Sequence, residues 1–351
     1  MDLPTVWFVL IAVLWTGFFV LEGFDFGVGA LHAVVGRTDA ERRSALSAIG
    51  PWWDGNEVWL VVPVAGTFAA FPPWYGAWLS GQYLVFWGGL AALIVRGVAL
   101  EFGRHADGAA ARRVWTVLLS VASLLAPAFL GLALGDLVAG LPLDGAGDLV
   151  GGAGAAFTPY GLLVAATLTM LCLAHGATFL TLRTTGTVEG RASTLRRRLL
   201  LPATTLVVLL AVVTVVAHRP GAVATVAVLV PVAAAVVATL WSGGASAGRT
   251  FAASAVAIGG TVAAIFVGLF PNVLVSTDPA TTLTVAGTAA SPYALQVMSI
   301  TTAVLLPIVL AYQAWGFWVF RARVSGSSPD GPSTKASAAA DSAGRPSPDP
   351  R

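Results

Sequence analysis

Charge is what this sequence has least of. Only 10% of its 351 residues are Asp, Glu, Lys or Arg, against about 25% in a soluble domain. Mean hydropathy is +0.82, and 57% of the residues are hydrophobic. An ordinary soluble domain is excluded, and an all-α, polytopic membrane protein is expected. Cysteine is the second scarcity. Cys172 stands alone in an apolar segment. That rules out an intrachain disulfide framework, a CxxC redox pair, a CxxCH haem attachment and a cysteine-ligated iron–sulfur cluster. A concentrated basic patch is also missing. The formal net charge is +2, and the basic residues lie scattered in short loops, so no nucleic-acid partner is expected. The N-terminus carries neither a basic n-region nor a small-residue cleavage site, and reads as an uncleaved first span.

What is there, in abundance, is long apolar runs. A spanning helix needs about 20 mainly apolar residues. Nine segments qualify, at roughly 5–35, 54–71, 77–101, 113–139, 157–183, 199–217, 222–241, 250–270 and 293–320. Arginines alternate from loop to loop. Arg37, Arg42 and Arg43 follow the first span, Arg104, Arg112 and Arg113 the third, and Arg191, Arg196, Arg197 and Arg198 the fifth. Arg249 follows the seventh, and Arg321 and Arg323 the ninth. The opposite loops hold Arg219 with Asp144, Asp148 and Asp278. The positive-inside rule then places the N-terminus outside and the C-terminus in the cytoplasm, a parity that nine spans satisfy. The domain expectation is a nine-helix transmembrane domain over 1–323 and a disordered cytoplasmic tail over 324–351, rich in Pro, Gly, Ser and Ala. Span one (Glu22-Gly23) and span five (His175-Gly176) each place an ionisable residue before glycine and an Arg-Thr at the inner end. This fits a repeat of two four-helix bundles, although so thin a likeness also arises by chance.

Ionisable groups within spans are costly and usually face the protein interior along an ion or proton route. The candidates are Glu22, Asp25, His32, Asp54, Glu57, Arg96, Glu101, Asp136 and His175. At about 100° per residue, Glu22, Asp25 and His32 share a sector of roughly 80° on one helix. Asp54 and Glu57 share another face, and Gly23, Gly27 and Gly29 permit close approach of a neighbouring helix. Each group also has a plainer reading. Asp54 has the position and the Glu57 spacing of a capping-box N-cap. Arg96 and Glu101 read as ion-pair members that each pair with another span, and Glu101 equally as an interfacial residue. Asp136 reads as a solvated acid near an outer end. His175 is either a haem ligand or a hydrogen-bonded core histidine, the latter favoured for want of a second axial ligand.

The blocks "GFDFGVGALH", "GPWWDGNEVWLVVPVAGTFAAFPPWY", "GATFLTLRTTG" and "LPIVLAYQAWGFWVF" resemble subunit II of the cytochrome bd-type quinol oxidases, including the cyanide-insensitive branch. The resemblance covers about residues 5 to 323. It implies a non-pumping respiratory terminal oxidase of a bacterial plasma membrane, which oxidises quinol, reduces dioxygen to water and generates proton motive force. A haem-bearing subunit I carrying two b haems, one d haem and the quinol site is then the partner. Membrane lipid and quinone are further expected partners, with small accessory subunits as an open alternative. The chain itself would hold no haem or metal and would be inactive alone. A cytoplasmic proton path falls on Asp25 and Asp54, with Glu22, Glu57 and Trp53 as auxiliaries. Glu57 and His175 occupy positions where some members carry amides, which leaves their roles open. The competing classes are a proton-coupled transporter and a purely structural scaffold.

Overall fold

The computed structural model describes residues 2–244, 246–320 and 322–324. The expected tail beyond Val324 lies outside the described residues. Nine long helices follow the nine apolar runs: α1 Leu3–Val35, α2 Trp53–Ala70, α3 Tyr83–Phe102, α4 Ala109–Ala139, α5 Pro159–Arg183, α6 Gly186–Val213, α7 Ala222–Trp241, α8 Ala247–Leu269 and α9 Pro292–Val319. Several start where the sequence supplies a cap. Asp2, Thr158, Ser246 and Ser291 each accept from a backbone N–H of the first turn, and prolines open α1, α5 and α9.

Among the described residues, eight helices are long and apolar enough to cross a membrane. The helix outside that set is α2. Its 18 residues reach about 27 Å, and its first turns carry Asp54, Asn56 and Glu57. The segment expected as the second span is therefore a helix in the expected place, with polar residues in its first turns.

Helix contacts divide the chain into two sets of four. Within the first, α1 packs on α2 and α4, and α3 on α4. The second repeats this pattern, α5 on α6 and α8, and α7 on α8. The sets join where α1 meets α5 and α8, and where α4 meets α5. The α1–α5 crossing is set by two glycines. A Cβ on Gly27 would lie 2.1 Å from the Cys172 carbonyl oxygen, and one on Gly176 would lie 2.5 Å from the Gly27 backbone. Only backbones without side chains approach so closely. The α9 helix stands outside both sets and buries only Leu295. It is held at one end by Trp7, whose Nε1 donates to Ser299 Oγ at 3.0 Å. At the other end Phe317 stacks on Trp52, and Arg183 donates to the Phe320 carbonyl.

The arginine-bearing loops gather at one end of the bundle. A surface helix, Asp39–Ser47, is closed by a Thr38/Glu41 capping box. Its acids pair across loops, Asp39 with Arg112 at 3.0 Å and Glu41 with Arg191 at 2.8 Å. At the opposite end a small antiparallel hairpin, β1 Asn272–Leu274 with β2 Leu283–Thr284, covers the loops.

Candidate functional site

Three helices converge on one guanidinium. The α3 helix carries Arg96 to a fully buried position, where its Nη1 lies 2.6 Å from Glu22 Oε1 of α1 and 2.5 Å from Glu57 Oε1 of α2. The Glu57 contact is a hydrogen bond donated by Arg96. The guanidinium carbon sits 5.1 Å from the centroid of the Phe26 ring, a cation–π contact. The Glu22 side chain is fully enclosed, whereas that of Glu57 is 24% exposed. The seam thus runs from a surface-accessible carboxylate to a dry one across a single cation.

A second polar chain lies beside it. Asp25 is fully buried one turn beyond Glu22, and its Oδ2 accepts from Asn56 Nδ2 at 2.7 Å. Asn56 Oδ1 in turn accepts from Gln313 Nε2 of α9 at 2.9 Å. Asp25 Oδ1, Glu22 Oε2, and Nε and Nη2 of Arg96 are buried without a hydrogen-bond partner. Glu22 Oε1, held only by the ion pair to Arg96, is a fifth such atom. Buried polar atoms are paired in the large majority of cases, so five orphans in one seam mark it off from ordinary core.

The sequence-predicted residues are thus partly assembled. Glu22, Asp25 and Glu57 belong to the seam. Trp53 is half-buried, its ring close to Gly97 of α3. Asp54 is exposed and makes no hydrogen bond or ion pair among the described residues. It is not a cap either. The N-cap of α2 is Trp52, with no side-chain capping bond, and Asp54 sits inside the first turn. Arg96 pairs with two other spans, as expected, while Glu101 is exposed and reaches Arg104 of its own helix end at 3.8 Å.

Asp136 requires a correction. It is fully buried, not solvated. Its oxygens accept from Gln82 Nε2 at 2.8 Å and Thr158 Oγ1 at 2.5 Å. Glycine makes the room, since a Cβ on Gly161 would fall 2.1 Å from Asp136 Oδ1. The carboxylate also faces the first turn of α5, where helix dipoles favour negative charge.

Two seam residues, Asn56 and Gln313, are not ionisable and so lie outside the candidates that charge alone marks. Both were visible as isolated amides in apolar surroundings, Asn56 between two acids in "WWDGNEVW" and Gln313 in "LAYQAWGF".

Fold and site together define a multi-pass, all-helical membrane protein with an ionisable seam buried among three helices. A family model described as cytochrome bd terminal oxidase subunit II matches residues 3–320. The chain is 38% identical over 335 residues to cytochrome bd ubiquinol oxidase subunit 2 of Bacillus subtilis, covering 93% of this chain and 98% of that one. It is 35% identical over 190 residues to cytochrome bd-I ubiquinol oxidase subunit 2 of Escherichia coli K12, about half of each chain (53% and 50%). A chain of the bd oxidase structure from Geobacillus thermodenitrificans superposes with a TM-score of 0.70 at 18% identity, over 91% of this chain and 99% of that one, a likeness of fold. The chain belongs to the cytochrome bd terminal oxidase subunit II family. It is accordingly a multi-pass bacterial membrane protein and a subunit of an oxidoreductase.

A family of cytochromes implies haem, and the buried histidines can be tested for it. The His175 ring stacks on Phe251 at 4.3 Å, meets the edge of Phe24 at 6.0 Å, and shares a hydrogen bond of 2.7 Å with Ser254 Oγ. It lies in the tight α1–α5 crossing, 4.0 Å from where a Cβ on Gly23 would sit. That packing leaves no width for a macrocycle. His32 borders a cavity of only about 80 Å³, room for a few water-sized groups. Neither histidine fits a haem.

Proposed function

We propose that this chain packs on a haem-bearing subunit I in a quinol:oxygen oxidoreductase and supplies part of the cytoplasmic proton path for reduction of dioxygen to water. Subunit I would hold the two b haems and the d haem, which supply the electron-transfer and oxygen-reducing chemistry when bound, together with the quinol site. The names of the Bacillus and Escherichia relatives, both ubiquinol oxidase subunits, support this reading.

The single observation that carries the path is the seam itself. Arg96 supplies one positive charge, whereas Glu22, Glu57 and Asp25 supply three carboxyls around it. Ionised together, they would leave two uncompensated negative charges in a buried site, which costs several kcal/mol per ion. Protons resident on the seam remove that cost, and a seam that must hold protons can also pass them. Asp54, one helical turn before Glu57 and exposed, would collect protons at the surface. The arginine-rich end of the bundle, by the positive-inside rule, is the cytoplasmic side. The deep end is Glu22, fully enclosed against Arg96. Asp25 lies one turn nearer the arginine-rich end, and from it Asn56 and Gln313 carry the hydrogen-bonded chain sideways towards α9.

The test uses the assembled oxidase. Asp54 has no partner to lose among the described residues, so Asp54→Asn should assemble, keep the full haem spectrum and keep its thermal stability. Quinol-driven oxygen consumption should fall by roughly tenfold or more, the scale on which a missing proton-transfer group is felt. Asp25→Asn should act likewise. Normal turnover by a fully assembled Asp54→Asn oxidase would remove Asp54 from the path. Normal turnover in both variants would leave the seam a structural clamp.

A further inference from the structure

A second concentration of charge lies outside the seam. Where α1 ends, it forms a cavity of about 80 Å³ with the surface helix Asp39–Ser47 and the α3–α4 hairpin. Arg42, Arg43, Arg104 and Arg112 line it, with His32 at its edge. Asp39 is the carboxylate among the lining residues, and Glu101 reaches Arg104 only at 3.8 Å. Four guanidinium charges therefore face two carboxylates.

The internal bonds of this cluster leave donors to spare. Asp39 holds Arg112 by its Nε at 3.0 Å and Arg42 by one terminal nitrogen at 3.5 Å. Arg42 Nε donates to the Gly36 carbonyl and Arg104 Nε to the Leu100 carbonyl. Each bond fixes a guanidinium by one edge and leaves terminal N–H groups free. Arg43 makes no hydrogen bond or ion pair among the described residues. His32 is 2% exposed, and its Nδ1 is engaged by the Gly29 carbonyl at 2.7 Å. A carbonyl accepts, so Nδ1 carries the hydrogen, and Nε2 of the neutral ring is an acceptor that gives a phosphate oxygen nothing; the guanidiniums are the donors of this cavity.

We propose that this cavity binds the phosphate of an anionic phospholipid. Preoriented guanidiniums with unused N–H groups recognise phosphate oxygens, and the volume suits a phosphate-sized group. A free phosphate would use only the charged wall. A lipid would also use the apolar one, where Trp115, Leu46 and Leu119 line the same cavity. The α3–α4 hairpin continues outward with exposed Phe102, Val114 and Leu118, an apolar path for acyl chains. Basic pockets between helices at a membrane face are the recognised form of such headgroup sites.

The experiment uses the purified oxidase complex, stripped of lipid in mild detergent and exposed to phosphatidylglycerol, phosphatidylcholine or inorganic phosphate. Lipid retention is read by native mass spectrometry. The test variant is Arg43→Gln/Arg104→Gln, two exposed side chains whose loss leaves the Asp39 pairs intact. The control is Arg198→Gln, another arginine at the same end of the bundle. The wild type and the control should retain phosphatidylglycerol over phosphatidylcholine. The double variant should lose affinity by roughly thirtyfold, about fivefold for each guanidinium. Unchanged retention by the double variant overturns the site. Equal loss in Arg198→Gln overturns it too, by showing general basic attraction. If inorganic phosphate at millimolar concentration displaces the lipid completely, the site is one for free anions and the lipid assignment fails.

Discussion

Removing the one cation of the seam tests the charge argument most directly. In Arg96→Met the side-chain volume is largely kept, while the contacts to Glu22 at 2.6 Å and to Glu57 at 2.5 Å disappear. Glu57 is 24% exposed and can turn to water, so its loss is small. Glu22 is fully enclosed and cannot. Stripping one partner from a buried pair costs about 3–5 kcal/mol, chiefly because the other charge is left unpaired. The Phe26 contact adds about 1 kcal/mol. At about 2–4 °C per kcal/mol, the thermal midpoint of the complex should drop on the order of 10 °C. Glu22→Gln in the same chain removes the stranded charge, so the double variant Glu22→Gln/Arg96→Met should recover at least half of the loss. The assay is a melting curve of detergent-purified oxidase followed by size-exclusion fluorescence. A wild-type midpoint in Arg96→Met, or a double variant no better than the single one, would refute the view of Arg96 as the counter-ion of a buried carboxylate.

Two further substitutions probe the frame around the site. Gly176→Ala places a Cβ 2.5 Å from the Gly27 backbone; overpacking of that kind costs about 1–3 kcal/mol or more, so the yield of folded subunit should fall sharply, whereas Gly190→Ala, with open space around it, should be neutral. Glu41 lies outside the spans, and hydrogen bonds from Arg191, Thr187 and the backbone of Thr38 and Arg37 hold its carboxyl down at about 2. A depressed carboxyl pKa stabilises the folded state above the unfolded value, near 4.5, and that contribution is lost as the pH falls towards 2. The midpoint difference between wild type and Glu41→Gln should therefore be full at pH 7 and shrink below pH 4.5; a difference that does not change with pH would refute it.

Apolarity made the helices legible, and it also set what could not be read. The seventh span was expected at 222–241, and α7 occupies Ala222–Trp241. The sixth was expected at 199–217, but α6 starts at Gly186. An apolar run marks where a helix crosses lipid, and says nothing of where a polar helical extension begins. The surface helix Asp39–Ser47 is short and polar, so apolarity does not mark it; its sequence signal is the Thr38-x-x-Glu41 capping box. The acids of α1 and α2 were found by type and spacing, because carboxylates in apolar runs are rare and expensive. Their partners depend on which helices are neighbours. That α3 would bring Arg96 to Glu22 and Glu57, or that α9 would bring Gln313 to Asn56, is a fact of tertiary packing that no single-helix period contains. The burial of Asp136 is of the same kind, since it depends on Gly161 of the next helix making room.

The polar start of α2 joins these threads. A helix of 18 residues, whose first turns hold Asp54, Asn56 and Glu57, is poorly made for lipid. The three side chains nevertheless have distinct positions. Asn56 is fully buried against Asp25, Glu57 is half-buried against Arg96, and Asp54 is exposed. Burial thus falls from the α1 side of α2 to its outer face within a single turn. In a bilayer an unpaired carboxylate on that outer face is unfavourable, and water or a polar partner removes the cost. Apolar side chains of α2, α3 and α9, with Val61, Trp87 and Ile308 among them, are uncovered as well, so Asp54 stands out as a carboxylate on a helix otherwise built for an apolar surrounding. In the proposed path Asp54 is accordingly the residue at which protons would pass from water into the seam.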